Sequence, residues 1–399
     1  MDQRRIAVEE CFAARMDSVH RSFIREILKV TADPSIISFA GGLPNPEMFP
    51  VQAMSEAASR ILGGSTGAAS LQYSTTEGDP VLRRFIADRY AKRGVEVDPD
   101  DIVITTGSQQ CLDMAGKVFL DKGDTMVIER PGYLGAIQSF SIYEPNFVTV
   151  ALQDDGPDLE ELERAFAAGA KMFYAVPNFQ NPSGVSYSAE KRAAVAELLD
   201  RYGVVFVEDD PYGELRFMGE HLPPVYSFRK KPGLLNGSFS KIAAPGFRLG
   251  WVVAPGVVRD KLVVAKQATD LHTSTLAQSI MRAYLEENDI DDHVETIRET
   301  YGRHREVMVE KIREYFPAQV RCTEPEGGMF LWATLPEGCS SMELFDSAIR
   351  RKVAFVPGAP FYADGGGDNT LRLNFSNADP ERIGEGIARL GESIREFLD

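Results

Sequence analysis

Between Asp101 and Tyr212 the chain repeats one rhythm, a short β-rich run followed by a turn and then by a mostly helix-like stretch. The runs are Ile102 to Thr105, Thr125 to Ile128, Phe147 to Ala151, Met172 to Val176 and Val204 to Val207. Runs this short and apolar, with helical crossovers between them, predict a mainly parallel sheet covered by helices on both faces, an α/β architecture. In such sheets ligands bind outside the carboxyl ends of the strands. The residues that follow each strand are therefore where chemistry belongs.

After the first run, Thr106-Gly107-Ser108-Gln109-Gln110 opens a helix. A glycine turn into a helix N-terminus offers free backbone N–H groups and the positive end of the dipole to a phosphate, and N-capping by Ser108 accounts for the same residues. After the second, Glu129-Arg130-Pro131-Gly132-Tyr133 sets an aromatic ring in a rigid turn, where it stacks on a planar ring or packs at the sheet edge. PNFQNPSG follows Met172 to Val176, and its Asn181 is either an amide donor or a plain turn former. Glu208-Asp209-Asp210-Pro211-Tyr212 follows the fifth run. A carboxylate ending an apolar strand is costly unless paired, so Asp209 or Asp210 requires a cationic partner.

The stretch Leu234 to Trp251, LLNGSFSKIAAPGFRLGW, adds a sixth strand end. Its strand-like run closes on Ser238 and Ser240, Lys241 follows at once, and Arg248 arrives after the Pro245-Gly246 break. Desolvation disfavours the charged form of a lysine in such a place, and the neutral amine can attack a carbonyl and hold it as a Schiff base. The neighbouring hydroxyls and guanidinium suit phosphate oxygens. An amine, a phosphate seat and an acid for a pyridinium nitrogen are the parts that pyridoxal phosphate needs.

At 399 residues the chain exceeds one ordinary core, which predicts a large domain and a smaller one. The expected division is an N-terminal helix and substrate loop over 1–50, a large cofactor-binding domain over 51–290 and a small α+β domain over 291–399. In the first part, Phe23, Ile24, Ile27 and Leu28 fall at helical spacing with Arg21, Arg25 and Lys29 between them. SFAGGLPNPEMFP, Ser38 to Pro50, interrupts regular structure, and Gly41 and Gly42 let backbone approach a ligand closely or simply form a surface loop. In the last part, Arg372 of Leu-Arg-Leu-Asn-Phe alternates with Leu371 and Leu373, as a solvated residue or as a fork for a carboxylate.

Charge excludes other classes. With 43 basic and 59 acidic residues, the net charge of -16 repels nucleic-acid backbones and anionic membrane surfaces. Cys11, Cys111, Cys322 and Cys339 are scattered without metal-ligand spacing, which predicts reduced thiols, no metal centre and a cytoplasmic protein. The first thirty residues lack the apolar core of a secretory signal.

The ordered set GSQQ, RPGY, NPSG, EDDPY, SFSK, GFRLGW and LRLNFS resembles that of the fold type I pyridoxal-phosphate aminotransferases of class I/II. Within them it is similar to the branch containing 2-aminoadipate and kynurenine/α-aminoadipate aminotransferases, over almost the whole chain. The resemblance implies Lys241 as the Schiff-base residue and Asp209 as the pyridinium partner. Tyr212 and Asn181 are then donors to the phenolic oxygen, Tyr133 stacks on the ring, and Ser108, Gln109, Ser238, Ser240 and Arg248 hold the phosphate. Arg372 with Asn181 takes the substrate carboxylate. Tyr73 resembles the position that reaches the phosphate from the other subunit of a homodimer, and Gly41, Gly42 and Arg25 the part facing the substrate side chain.

The implied reaction moves an amino group from an amino acid to a 2-oxo acid in ping-pong fashion. A lyase or decarboxylase uses the same lysine and acid. Effector domains of some transcriptional regulators also resemble aminotransferases, but they follow a DNA-binding segment, and only about forty residues precede the glycine-rich loop here.

Overall fold

The computed structural model describes residues 8–17, 27, 33–230 and 233–399. After β1 (Ile37–Ser38), the strands β2 (Ile102–Thr105), β3 (Thr125–Arg130), β4 (Asn146–Gln153), β5 (Gly156–Pro157), β6 (Met172–Ala175), β7 (Val205–Asp209), β8 (Leu234–Ser238) and β9 (Gly250–Val253) form one sheet. Their spatial order is β2-β9-β8-β7-β6-β3-β4-β5. From β8 through β4 the ladders are parallel, whereas β9 runs antiparallel to both its neighbours and β5 antiparallel to β4. The predicted mainly parallel α/β sheet is what the chain forms.

Every residue of β2, β6, β8 and β9 is buried, as expected of strands covered by helices on both faces. β9 was absent from the expected strands. Gly-Trp-Val-Val carries no alternation, and its place between β2 and β8 depends on pairing across more than a hundred residues, Ile104 opposite Trp251. It also follows a bend at Arg248, whose φ of 53° is left-handed.

Four further strands, β10 (Arg321–Cys322), β11 (Phe330–Thr334), β13 (Val356–Pro357) and β14 (Thr370–Asn374), make a second, antiparallel sheet in the order β10-β11-β14-β13. The helices Ile290–Tyr315, Ser341–Arg350 and Pro380–Leu398 accompany it, the first packing along the last. β12 (Val353–Ala354) instead pairs in parallel with β1.

That small ladder positions the glycine-rich loop. Phe39 N–H donates to Ala354 O at 2.8 Å, and Asn374 N–H donates to Phe39 O at 2.9 Å, so the chain entering Gly41 is stitched to the second sheet. Beyond it, Ser376 Oγ donates to Leu43 O and the Tyr301 hydroxyl accepts from Asn45 N–H. Ile27 is buried against Ile36, Trp332 and Phe361. The remaining residues of the expected amphipathic helix, Arg25 among them, lie outside the described residues. Among the described residues no helix is long and apolar enough to cross a membrane.

Candidate active site

The carboxyl ends of β6, β7 and β8 open on a cavity of about 250 Å³, closed from the other side by the second sheet and the Gly42 loop. At the end of β7 three consecutive carboxylates are sorted by the pleat. Glu208 accepts from the backbone N–H groups of Val225 and Tyr226, and Asp210 meets Arg93 at 3.2 Å and Asn178 Nδ2 at 2.7 Å. Asp209, 2 % exposed, lines the cavity. Of the two candidates for a cationic partner, Asp210 has one among the described residues, Arg93, and Asp209 has none.

Asp209 Oδ2 accepts from the Tyr174 hydroxyl at 2.8 Å, and its buried Oδ1 has no hydrogen-bond partner. Burial lifts this carboxyl to about 7, against the opposing pull of the Tyr174 hydrogen bond. An unpartnered oxygen on a carboxylate that lines a cavity is a place prepared for a donor that the described residues do not supply.

Lys241 enters the same cavity. Its amine donates to Gly42 O at 2.8 Å and lies 5.8 Å from the centre of the Tyr212 ring. Burial, with Arg372 and Arg248 nearby, lowers its pKa to about 8. The neutral, nucleophilic amine is thereby accessible near physiological pH.

One wall of the cavity is an anion cup. The helix Ser108–Phe119 begins after Gly107 (φ +77°), and its N-terminus has no side-chain cap. The capping role considered for Ser108 is thus corrected, because Ser108 is the first helical residue and the residue at the cap has no side chain. Its amide is left for a ligand at the positive end of the helix. A Cβ at Gly107 would collide with the Arg248 guanidinium, so glycine lets the two lie side by side. Ser238, Ser240, Gln109 and Arg248 line the same wall, with Ser238 Oγ accepting from Ser240 N–H at 3.0 Å. Behind the cup, Lys266 donates to Asp270, Gln110 and Thr273, while Thr106 Oγ1 donates to Asp270 at 2.8 Å.

The opposite wall holds Arg372, Asn181, Tyr212 and Tyr133. Arg372 is 1 % exposed, which removes the solvated alternative. Its Nη1 donates to Asn181 Oδ1 at 2.8 Å and its Nη2 to Ala40 O at 2.9 Å, while Nε is unpartnered. Phe330 and Phe361 lie 4.4 Å and 5.3 Å from the guanidinium, and burial lowers its pKa to about 10. Asn181 Nδ2 in turn donates to the Tyr212 hydroxyl at 3.4 Å. The Tyr133 turn is tied down by Gly132 N–H donating to Phe361 O at 2.7 Å.

Sequence reasoning passed over Tyr174, Phe330 and Phe361. Tyr174 pairs with Val207, two residues before Asp209, and a polar tip on a wholly apolar strand was its one signal. Two expected residues lie elsewhere. Tyr73 is 79 % exposed and packs edge-on against His272 at 5.7 Å, away from this chain's cavity. Gly41 precedes the lining residue Gly42 without lining the cavity itself.

An amine, an orphaned acid oxygen, a cup of free amides with a guanidinium and a second, forked guanidinium fit pyridoxal 5'-phosphate together with a carboxylate-bearing substrate. The model of the family described as aminotransferase class I and II matches residues 39–390. The chain belongs to this family. A 2-aminoadipate transaminase of Thermus thermophilus is 43 % identical to this aminotransferase, covering 98 % of each chain. An aromatic-amino-acid aminotransferase of Thermococcus litoralis is 42 % identical, covering 98 % of this chain and 95 % of its own. The crystal structure of the Thermus thermophilus α-aminoadipate aminotransferase, complexed with N-(5'-phosphopyridoxyl)-L-leucine, superposes with a TM-score of 0.91 at 42 % identity, covering 98 % of this chain and 99 % of its own. The protein is a transaminase of the fold type I group, and its cofactor is pyridoxal 5'-phosphate.

Proposed function

We propose that Lys241, Asp209 and Tyr212 are the catalytic residues, and that Arg372 with Asn181 takes the α-carboxylate of an amino acid. One observation carries the reading: Lys241 and Asp209, whose Oδ1 has no hydrogen-bond partner among the described residues, line one cavity at neighbouring strand ends. When bound, the cofactor's protonated ring draws electrons from the substrate's α-carbon and makes its proton acidic. The Asp209 carboxylate keeps the ring nitrogen protonated. Lys241 would hold the cofactor, and its free amine would carry the substrate's α-proton as general base and acid. Tyr212 and Asn181 donate to the phenolic oxygen, and Tyr133 bounds the ring face. Ser108, Gln109, Ser238, Ser240 and Arg248 hold the phosphate.

The donor is proposed to be 2-aminoadipate, glutamate, or an aromatic or branched-chain amino acid, as the relatives' names suggest, with a 2-oxo acid as acceptor in a ping-pong cycle. Gly41, Gly42 and Arg25 are assigned to the side-chain end. Tyr73, exposed on this chain, is assigned to the phosphate of a partner copy, which makes the working unit a homodimer with shared sites. The division into 1–50, 51–290 and 291–399 assigns the cofactor to the middle part. The acidic charge and the scattered spacing of the cysteines support a cytoplasmic protein without nucleic-acid or membrane partners.

A donor and acceptor screen tests the reading. Purified protein should show a visible cofactor band that an amino donor bleaches and a 2-oxo acid restores, with an oxo-acid product. Amine or elimination products would replace transamination by decarboxylase or lyase chemistry.

A further inference from the structure

The Asp209 carboxylate is asymmetric. Oδ2 accepts from one hydroxyl, and Oδ1 has no hydrogen-bond partner among the described residues. The hydroxyl belongs to Tyr174, fully buried on β6, the neighbour of β7. Register explains the contact: Tyr174 pairs with Val207, and a tyrosine on one strand reaches a residue two places farther on the next. The ring is wedged edge-on against Phe140, with centroids 5.7 Å apart, so the hydroxyl has little freedom.

We propose that Tyr174 is a positioning residue for the cofactor: by donating to Oδ2 it fixes the Asp209 carboxylate and leaves Oδ1 as the oxygen that serves the ring nitrogen. The inference rests on the assignment of Asp209 to that nitrogen. The groups facing Asp209 are Tyr174 on β6, Glu129 on β3, Cys111 on the Ser108–Phe119 helix, Tyr133, Tyr212 and the adjoining Asp210. None of these six is a cation; Lys241, Arg248 and Arg372 line the same cavity, and the Lys241 amine donates to Gly42 O and the Arg372 guanidinium to Asn181 and Ala40. The Tyr174 donor is what favours the charged carboxylate against burial and against Asp210, and its direction is toward ionisation.

The hydroxyl therefore has two effects that a packing residue lacks. It selects one orientation of the carboxylate, and it favours the ionised form against the burial that raises its pKa. A phenylalanine at 174 would retain the contact with Phe140 and remove both effects.

The test compares binding of pyridoxal phosphate with that of an analogue in which carbon replaces the ring nitrogen, on wild-type protein and on Tyr174→Phe, each freed of cofactor. A hydrogen bond to a charged group is expected to translate into a roughly ten-fold or greater loss of pyridoxal phosphate affinity in Tyr174→Phe, with less than about two-fold loss for the analogue. Installing 4-aminophenylalanine at position 174, which keeps the ring and a donor, should restore affinity for the natural cofactor. Equal losses for both ligands, or no loss for either, would overturn the proposal, as would failure of the donor-bearing variant to recover. Wild-type protein that binds the two ligands equally would instead strike at the assignment of Asp209 itself.

Discussion

The amine of Lys241 donates to the carbonyl oxygen of Gly42 at 2.8 Å, joining residues 199 apart in the chain. The bond ties the strand ends of the large sheet to the loop that β1 and β12 hold against the second sheet. Substrate-side backbone and cofactor-side amine are thus neighbours by construction.

The lowered pKa of Lys241 has a kinetic consequence. Only the neutral amine attacks a carbonyl, so the rate at which cofactor-free protein captures pyridoxal phosphate should climb with pH and level off above about 8. A lysine at its ordinary value of 10.5 would keep accelerating well beyond that point. Stopped-flow absorbance across this range measures the midpoint.

Asp209 should cost the cofactor-free protein stability. Its folded value, raised from 3.8 to about 7, means that the folded chain binds the proton more tightly than the unfolded chain. The cost is therefore absent below pH 3.8, grows between 3.8 and about 7, and is fully present above. Asp209→Asn, freed of cofactor, should match wild type in acid and exceed it at pH 8 by on the order of a few kcal/mol, read from urea unfolding. With cofactor present the order should reverse, because the amide cannot serve as the acid's partner.

Arg372→Ala should raise KM for amino acids by roughly one hundred-fold, as expected for losing a charged, forked hydrogen-bonding group. Arg372→Lys should recover little, since one ammonium cannot reach Asn181, Ala40 and a carboxylate at once. Steady-state kinetics with an amino acid and with the matching amine lacking a carboxylate separates this role, because the amine should be indifferent to the change.

Gly107→Ala should weaken cofactor binding about ten-fold or more. The new methyl meets the Arg248 guanidinium, and a φ of +77° is unfavourable for any residue with a Cβ. Equilibrium binding of pyridoxal phosphate, with phosphate-free pyridoxal as the control, locates the loss at the phosphate end.

The sheet was legible because each apolar run is short and is followed by its own turn residues, so the sequence displays the strand ends that build the site. Asp209 and Lys241 stood out because charge at the end of an apolar strand is costly. What escaped depends on partners distant in sequence. β9 takes its place by pairing Gly237 with Trp251 and Val103 with Val252. Phe330 and Phe361 matter only because the second sheet brings them to Arg372. The choice between Asp209 and Asp210 needed the pleat and the position of Arg93.

The central claim is that Lys241 is the amine that carries the cofactor. Borohydride reduction of the holoenzyme followed by peptide mass mapping tests it most directly. The account predicts a pyridoxyl group on the peptide containing Lys241, and its absence when an amino donor is added before reduction. The label on another lysine in an enzyme that turns over would contradict it.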